Sequence, residues 1–424
     1  GLASSVLGKG RADNGKRIYF SGTYEPFGNW PFAIYTGARS DSLVSLSLKP
    51  MGYIFCLNPQ GDLVWLKTIA EGSGVDFFSV HKLSADGVGN IYATGGFRGT
   101  VDVNPAAAVF NITGDNDIFL LKLDNAGVLQ WVRQSDMGAT VYQGVNQRSS
   151  VSNSHGTVMD LDGSDGIYLS LGLNGPANFD NRQPFGGPST LINVAYHPSY
   201  MAYGGIGTAL VKYNTNGDFI WVKQIGGYDS AHYAGHPYVG VRDDGRIFIT
   251  GRYRDSVNLD PDTRDFNLFG RGEMSFAALY DTNGKFMWAS NIAEDTGATR
   301  VTYVGENDLI VGDGGDAYIC GWWQGGDMDF DPTAATFVLS PADPNNYSLF
   351  VVKLNVDVTD TSGTDPEDPI GVASVSSPAI QAYIYPNPST GMLGLRVMPS
   401  LSDGGMAITD VAGKVVFTDD GLNG

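Results

Sequence analysis

The chain has 424 residues, a formal charge of −19, 57 glycines and only two cysteines. Such acidity excludes nucleic acid and anionic lipid as partners, since both need a basic surface, and two cysteines are too few for a disulfide scaffold. The acidic residues are mostly Asp, which serves turns where Glu serves helices, and no apolar run approaches the length that membrane insertion requires.

The first residues carry neither a secretory signal pattern nor an initiating Met, so the sequence reads as starting after processing or as a fragment. From Gly15 onward one unit recurs. Its most regular run carries Tyr or Phe and closes near a Gly, at 18–22, 91–95, 167–172, 247–251 and 317–321. A second ends at an Asx turn, at 53–58, 118–124, 209–214, 276–281 and 349–355. A third runs from that turn's glycine to a tryptophan: Gly61 to Trp65, Gly127 to Trp131, Gly217 to Trp221 and Gly284 to Trp288. A weaker apolar run with its own Asp/Gly turn comes before the first, as at 80–87 and 238–245. These runs are short, rich in β-branched and aromatic residues, and bounded by Gly, Asn or Asp, which predicts four strands per unit.

The units lie near 1–67, 68–133, 134–223, 224–290 and 291–355. Repeats of about 70 residues suit radial packing, so the expected fold is all-β, a β-propeller of about five four-stranded blades. No sustained helical period supports an α/β alternative. Each repeated Trp reads as an apolar anchor between neighbouring blades. The last unit has no such Trp, so its blade takes a strand from residues 1–10 or stays open. Cys56 and Cys320 stand in the first and last units, which a ring would bring side by side; either they form a ring-closing disulfide or they are two separate buried thiols.

Recognition should sit where the units differ. The first inserts 24–35, with Trp30 and Tyr35; the third inserts 184–203, with Tyr196, His197 and Tyr200; the last places Trp322 and Trp323 directly after a strand. Aromatics among Asn, Asp and Gln suit the faces and hydroxyls of a glycan, or a protein partner. Alternatively they cover blade rims. A recurring pair of oxygen-bearing side chains, Asp102 with Asn104, Asn178 with Asp180, Asn258 with Asp260 and Asp329 with Asp331, would either hold calcium or cap turns. The densest copies, Asp260 with Asp262 and Asp327 with Asp329 and Asp331, form the candidate calcium set; no other cofactor is indicated.

No nucleophile elbow, phosphate loop or zinc motif occurs, so no catalytic residue is assigned and the chain reads as a non-enzyme. His232 and His236 have a spacing that pairs side chains on a helix, but their stretch reads as loop. Glu25, Glu71, Glu273, Glu294 and Glu306 share no repeat position, which leaves the rival reading, a glycoside hydrolase or lyase on a five-bladed propeller, without a marked acid.

Residues 356–379 form an acidic linker rich in Ser, Thr and Pro. In 380–424 a new strand pattern begins, carrying Pro386, Asn387, Pro388 and Gly391, then Asp410, Gly413 and Lys414. This spaced pair of motifs resembles the type A C-terminal sorting domain of type IX secretion cargo in Bacteroidetes. The resemblance implies a small β-sandwich that is incomplete at Gly424, a translocon and shuttle as partners, and an extracellular or outer cell-surface location. Upstream, 89–95, 101–105, 117–124 and 127–131 resemble a β-propeller repeat family of secreted bacterial proteins, over about residues 15–355. That family implies an architecture and no reaction. The expected function is a secreted or surface-displayed binding or structural module that takes a glycan or protein through aromatic loops, or a subunit of a surface assembly.

Overall fold

The computed structural model describes residues 17–24, residues 51–356 with interruptions (the longest at 149–156, 181–190 and 194–206), and residues 406–409 and 415–419; the chain is all-β. Sheet 1 holds β1 (Ile18–Tyr24), β2 (Met51–Leu57) and β3 (Leu63–Ile69). Sheet 2 holds β4 (Val75–Ala85), β5 (Ile91–Asp102), β6 (Asn111–Leu123) and β7 (Leu129–Gln134), after which β8 (Ala139–Tyr142) and β9 (Val145–Arg148) make a hairpin. Sheet 3 opens with β10 (Val158–Leu161) and β11 (Gly166–Leu173). The small pair β12 (Pro176–Asn178) and β13 (Leu191–Asn193) interrupts it before β14 (Gly207–Asn214) and β15 (Phe219–Gly226). Sheet 4 holds β16 (Ala234–Val241), β17 (Ile247–Asn258), β18 (Asn267–Tyr280) and β19 (Phe286–Asn291). After β20 (Glu294–Asp295), sheet 5 holds β21 (Thr302–Val311), β22 (Ala317–Gln324) and, beyond β23 (Met328–Asp329) and β24 (Val338–Leu339), β25 (Ser348–Leu354). Within each of the five sheets consecutive strands pair antiparallel, and a short parallel contact between β18 and β21 joins sheets 4 and 5.

The turn chemistry explains why the units repeat. At each turn into the tryptophan strand an Asx side chain accepts the N–H groups two and four residues ahead, as Asp124 does from Ala126 and Val128 and Asn214 from Asn216 and Asp218. The following glycine takes the left-handed conformation, with φ of 88° at Gly61, 76° at Gly127, 79° at Gly217 and 74° at Gly284, which a side chain would strain. A register shift recurs just before each turn, at Cys56/Leu57, Lys122/Leu123, Lys212/Tyr213 and Leu279/Tyr280.

Both faces of each interior sheet are buried, because alternate residues of a strand point to opposite faces. In β5, Ile91 and Ala93 pack with sheet 1, while Tyr92 packs with sheet 3. In β11, Ile167 and Leu169 pack with sheet 2 and Tyr168 with sheet 4; in β17, Ile247 and Ile249 pack with sheet 3 and Phe248 with sheet 5. Four apolar clusters thus join five sheets in chain order. At three of these junctions a side chain also takes a backbone N–H of the next sheet's first strand. Thr23 Oγ1 accepts from Val80 at 3.3 Å, Asp160 Oδ2 accepts from Val241 at 2.8 Å, and His81 Nδ1 accepts from Thr157, just before β10, at 3.0 Å.

The tryptophans act between sheets. Trp131 is half-buried, donates from Nε1 to the Thr215 carbonyl at 3.2 Å, and lies over Gly217 of the next sheet's turn. Trp65 donates to the Asn125 carbonyl at 3.1 Å and lies over Gly127; Trp221 lies over Gly284.

Two expectations change, and one falls on residues outside the described ones. Sheets 1 and 5 have three strands each among the described residues, and residues 1–10, the expected source of a fourth strand, lie outside those residues. Cys56 and Cys320 are free thiols: Cys56 packs with Tyr19 in the junction with sheet 2, while Cys320 shares the opposite, outer face of sheet 5 with Trp322, so even adjacent sheets would keep a sheet's thickness between them. Trp323 is fully buried and packs on Phe330 and Phe350, so it is a core residue and no ligand platform. The chain divides into two compact units, Gly1–Ile384 and Tyr385–Gly424. The second is described only at the hairpin of β26 (Met406–Thr409) and β27 (Val415–Asp419).

Candidate functional site

The first strands of sheets 2 to 5 end around one cavity of about 170 Å³. Its wall includes Ala85 and Asp86 from sheet 2, Asp160 and Asp162 from sheet 3, Val241 and Asp243 from sheet 4, and Val311 from sheet 5. The volume falls below the roughly 300–1,000 Å³ of pockets that enclose small organic ligands. Its carboxylates are also engaged. Asp86 accepts the N–H groups of Val88 and Asn90, at 3.1 and 2.8 Å, and the Tyr92 hydroxyl at 3.2 Å. Asp162 does the same with Ser164, Gly166 and Tyr168. Burial raises the Asp162 carboxyl, but hydrogen bonds from Gly166 and Ser164 and the charge of Lys212 outweigh it and hold the group below its ordinary value. Burial, and then the adjacent carboxylates, push the Tyr92 and Tyr168 hydroxyls well above theirs. Both acids hold turns as hydrogen-bond acceptors, a poor position for a general acid. The recurrence of Asp six residues before a strand Tyr, Asp86 with Tyr92 and Asp162 with Tyr168, was available in the sequence as a signal for this network.

Of the aromatics proposed for recognition, Trp30, Tyr35, Tyr196, His197 and Tyr200 lie outside the described residues, as does His232. Trp322 is placed: half-buried, with the Arg252 guanidinium 5.2 Å from its ring centre and Tyr347 edge-on at 4.8 Å. The guanidinium reaches Trp322 across Gly305, where a Cβ would sit 2.6 Å from an Arg252 nitrogen. Leu349, opposite Trp322 in the β22–β25 register, is 57% exposed and Tyr347 is 67% exposed. Tyr318, two pairs along the same face, is 40% exposed, although its counterparts Tyr92, Tyr168 and Phe248 are fully buried under the following sheet. Tyr318, Tyr347 and Leu349 thus leave exposed apolar groups beside Trp322 on the outer face of sheet 5.

The oxygen pairs cap turns. Asp102 Oδ1 accepts from Asn104 and Phe110, Asn178 Oδ1 from Asp180, and Asp329 Oδ1 from Asp331 and Phe337 at 3.0 and 2.7 Å. Asp260 accepts from the backbone of Asp262 and Thr263, and Asp262 is paired with Lys223 of the preceding sheet. Among the described residues no group of three His, Cys, Asp or Glu side chains is placed to hold a metal ion; the two candidate calcium copies, Asp260 with Asp262 and Asp327 with Asp329 and Asp331, stand on separate sheets. The sorting-motif residues Pro386, Asn387, Pro388, Gly391, Asp410, Gly413 and Lys414 lie outside the described residues. No protein-family model and no curated protein matches the sequence.

Proposed function

We propose that residues 1–355 form a five-bladed β-propeller that serves as a binding module at the outer cell surface, exported through the sorting motif at 386–414. The observation that carries the architecture is the meeting of four consecutive first strands around one cavity, each sheet laying one face on the next. Sheets arranged about an axis do this and leave only short edges. The binding role draws on the open aromatic face of sheet 5, where Trp322 is held between Arg252 and Tyr347, as rigid rings that offer area at small entropic cost do in recognition sites. The cavity favours no hydrolase, since Asp86 and Asp162 are committed to turns.

A glycan array and a pull-down from surface extracts, each with wild type and Trp322→Ala, test the role. Binding reduced by about tenfold or more in the variant is expected, and identical profiles would remove this face from recognition. Export is tested by removing residues 380–424: retention inside the cell is expected, and undiminished secretion would refute the sorting motif.

A further inference from the structure

The bond between sheets 2 and 3 differs from the other two cross-sheet bonds in its acceptor: Thr23 and Asp160 use oxygen, whereas His81 uses an imidazole nitrogen. Its setting is built into sheet 2. In the β4–β5 register Val80 lies opposite Gly95 and Lys82 opposite Thr94, so His81 is an extra, bulged residue, a position that re-aims a side chain. Gly96 follows the repeated Gly95 at the place where sheets 1 and 4 carry Thr23 and Arg252, side chains that reach the next sheet at Val80 and Trp322. The glycine leaves that space to the imidazole: a Cβ there would stand 3.4 Å from His81 Cε1 and 3.4 Å from Phe77.

An imidazole accepts a hydrogen bond only while it is neutral. Nδ1 takes the Thr157 N–H, so a further proton must enter at Nδ1 and meet that N–H donor to donor. The ring is faced by Phe77 from β4, by Gly96 from β5 and by Thr157 from the segment before β10, and none of these titrates. The charged neighbours along the chain are Lys82 and Asp160, and the Asp160 carboxylate is turned to Val241 of sheet 4. Burial is the cause that lowers the pKa of His81. Both joined segments run on to the cavity, which Ala85 lines from sheet 2 and Leu161 from sheet 3.

We propose that His81 is an acid-released latch between sheets 2 and 3: neutral, it holds the Thr157 N–H, and protonated, it lets this edge of the junction open while the apolar cluster keeps the sheets together. Opening returns the ring to water and to its ordinary pKa of 6.5, whereas the closed ring titrates at about 4. The latch is therefore closed above pH 6.5, and falling pH favours the open form, whose population grows about twentyfold from pH 7 to pH 5.

The test is amide hydrogen exchange on the full chain at pH 7 and pH 5, read as protection factors so that the pH dependence of the intrinsic rate is removed. The Thr157 amide should lose about twentyfold in protection, while the Val80 amide, held by the Thr23 hydroxyl, which does not titrate, keeps its own. In His81→Gln, whose side-chain oxygen accepts without titrating, Thr157 protection should not depend on pH. A Thr157 amide unprotected at pH 7, or equally protected at both pH values, would overturn the latch. So would an equal loss at Val80, which would place the change in global unfolding, or a wild-type pH dependence in His81→Gln. Should that variant not fold, ring titration of wild-type His81 by NMR decides: an apparent pKa near 4 is expected, and one near 6.5 would overturn the proposal.

Discussion

Trp131 ties its own sheet to the next through several contacts at once: its indole donates to Thr215, its ring covers Gly217, the Arg133 guanidinium stacks 5.2 Å from it, and Tyr92 lies at 6.2 Å. Because the ring is only half-buried, Trp131→Ala should lose about 2–3 kcal/mol, below the 3–5 typical of a fully enclosed ring. Chemical unfolding measures this, and a loss under about 0.5 kcal/mol, the range of a neutral surface change, would contradict the seat on Gly217. His81 makes a second residue-scale case. Its Nδ1 accepts from Thr157, which places the proton on Nε2, a nitrogen cut off from solvent without a partner, and burial lowers its pKa from the ordinary 6.5 to about 4. Between those values the unfolded chain binds a proton that the folded chain does not. Stability is therefore full above pH 6.5 and is lost as pH falls towards 4, by about 3 kcal/mol from this group. His81→Gln should flatten that part of the pH dependence of the urea midpoint, and a variant with the wild-type slope would show that His81 does not cause it.

At the scale of elements, the turns carry the repeat. Each Asx side chain satisfies N–H groups that the departing strand leaves open, and each glycine supplies the left-handed residue that reverses the chain. Asp329→Ala should cost about 1 kcal/mol, the worth of its bonds to Asp331 and Phe337, and the cost should be the same with calcium or chelator present. A loss seen only with calcium would assign this carboxylate to a metal. These strands were legible in the sequence because β-branched and aromatic runs between Asx and Gly leave few alternatives. The faces were less legible. Trp322 and Trp323 look equivalent as a pair, but neighbours on a strand point oppositely, so one lies in the core against Phe330 and the other on the open face. Likewise, Cys56 and Cys320 were related by unit number without regard to the face each occupies. The oxygen pairs read alike for calcium or turns because both roles use the same atoms.

At the scale of the molecule, five sheets joined by four clusters in chain order admit two shapes, an open stack or a ring. The common cavity under Ala85, Leu161, Val241 and Val311 favours the ring, since in a stack the first strands of sheets 2 and 5 would stand apart. The ring would place the Asn58–Gly61 turn of sheet 1 beside the end of β25, as Asn214–Gly217 stands beside β6. The two shapes differ most in the distance from the first sheet to the last. Spin labels at Gln60 and Asn355, both exposed, in a Cys56→Ser, Cys320→Ser background would measure that distance directly. With sheets about 10 Å apart face to face, the ring predicts a label separation within about 20 Å, and a separation near 40 Å, four sheet spacings, would contradict it.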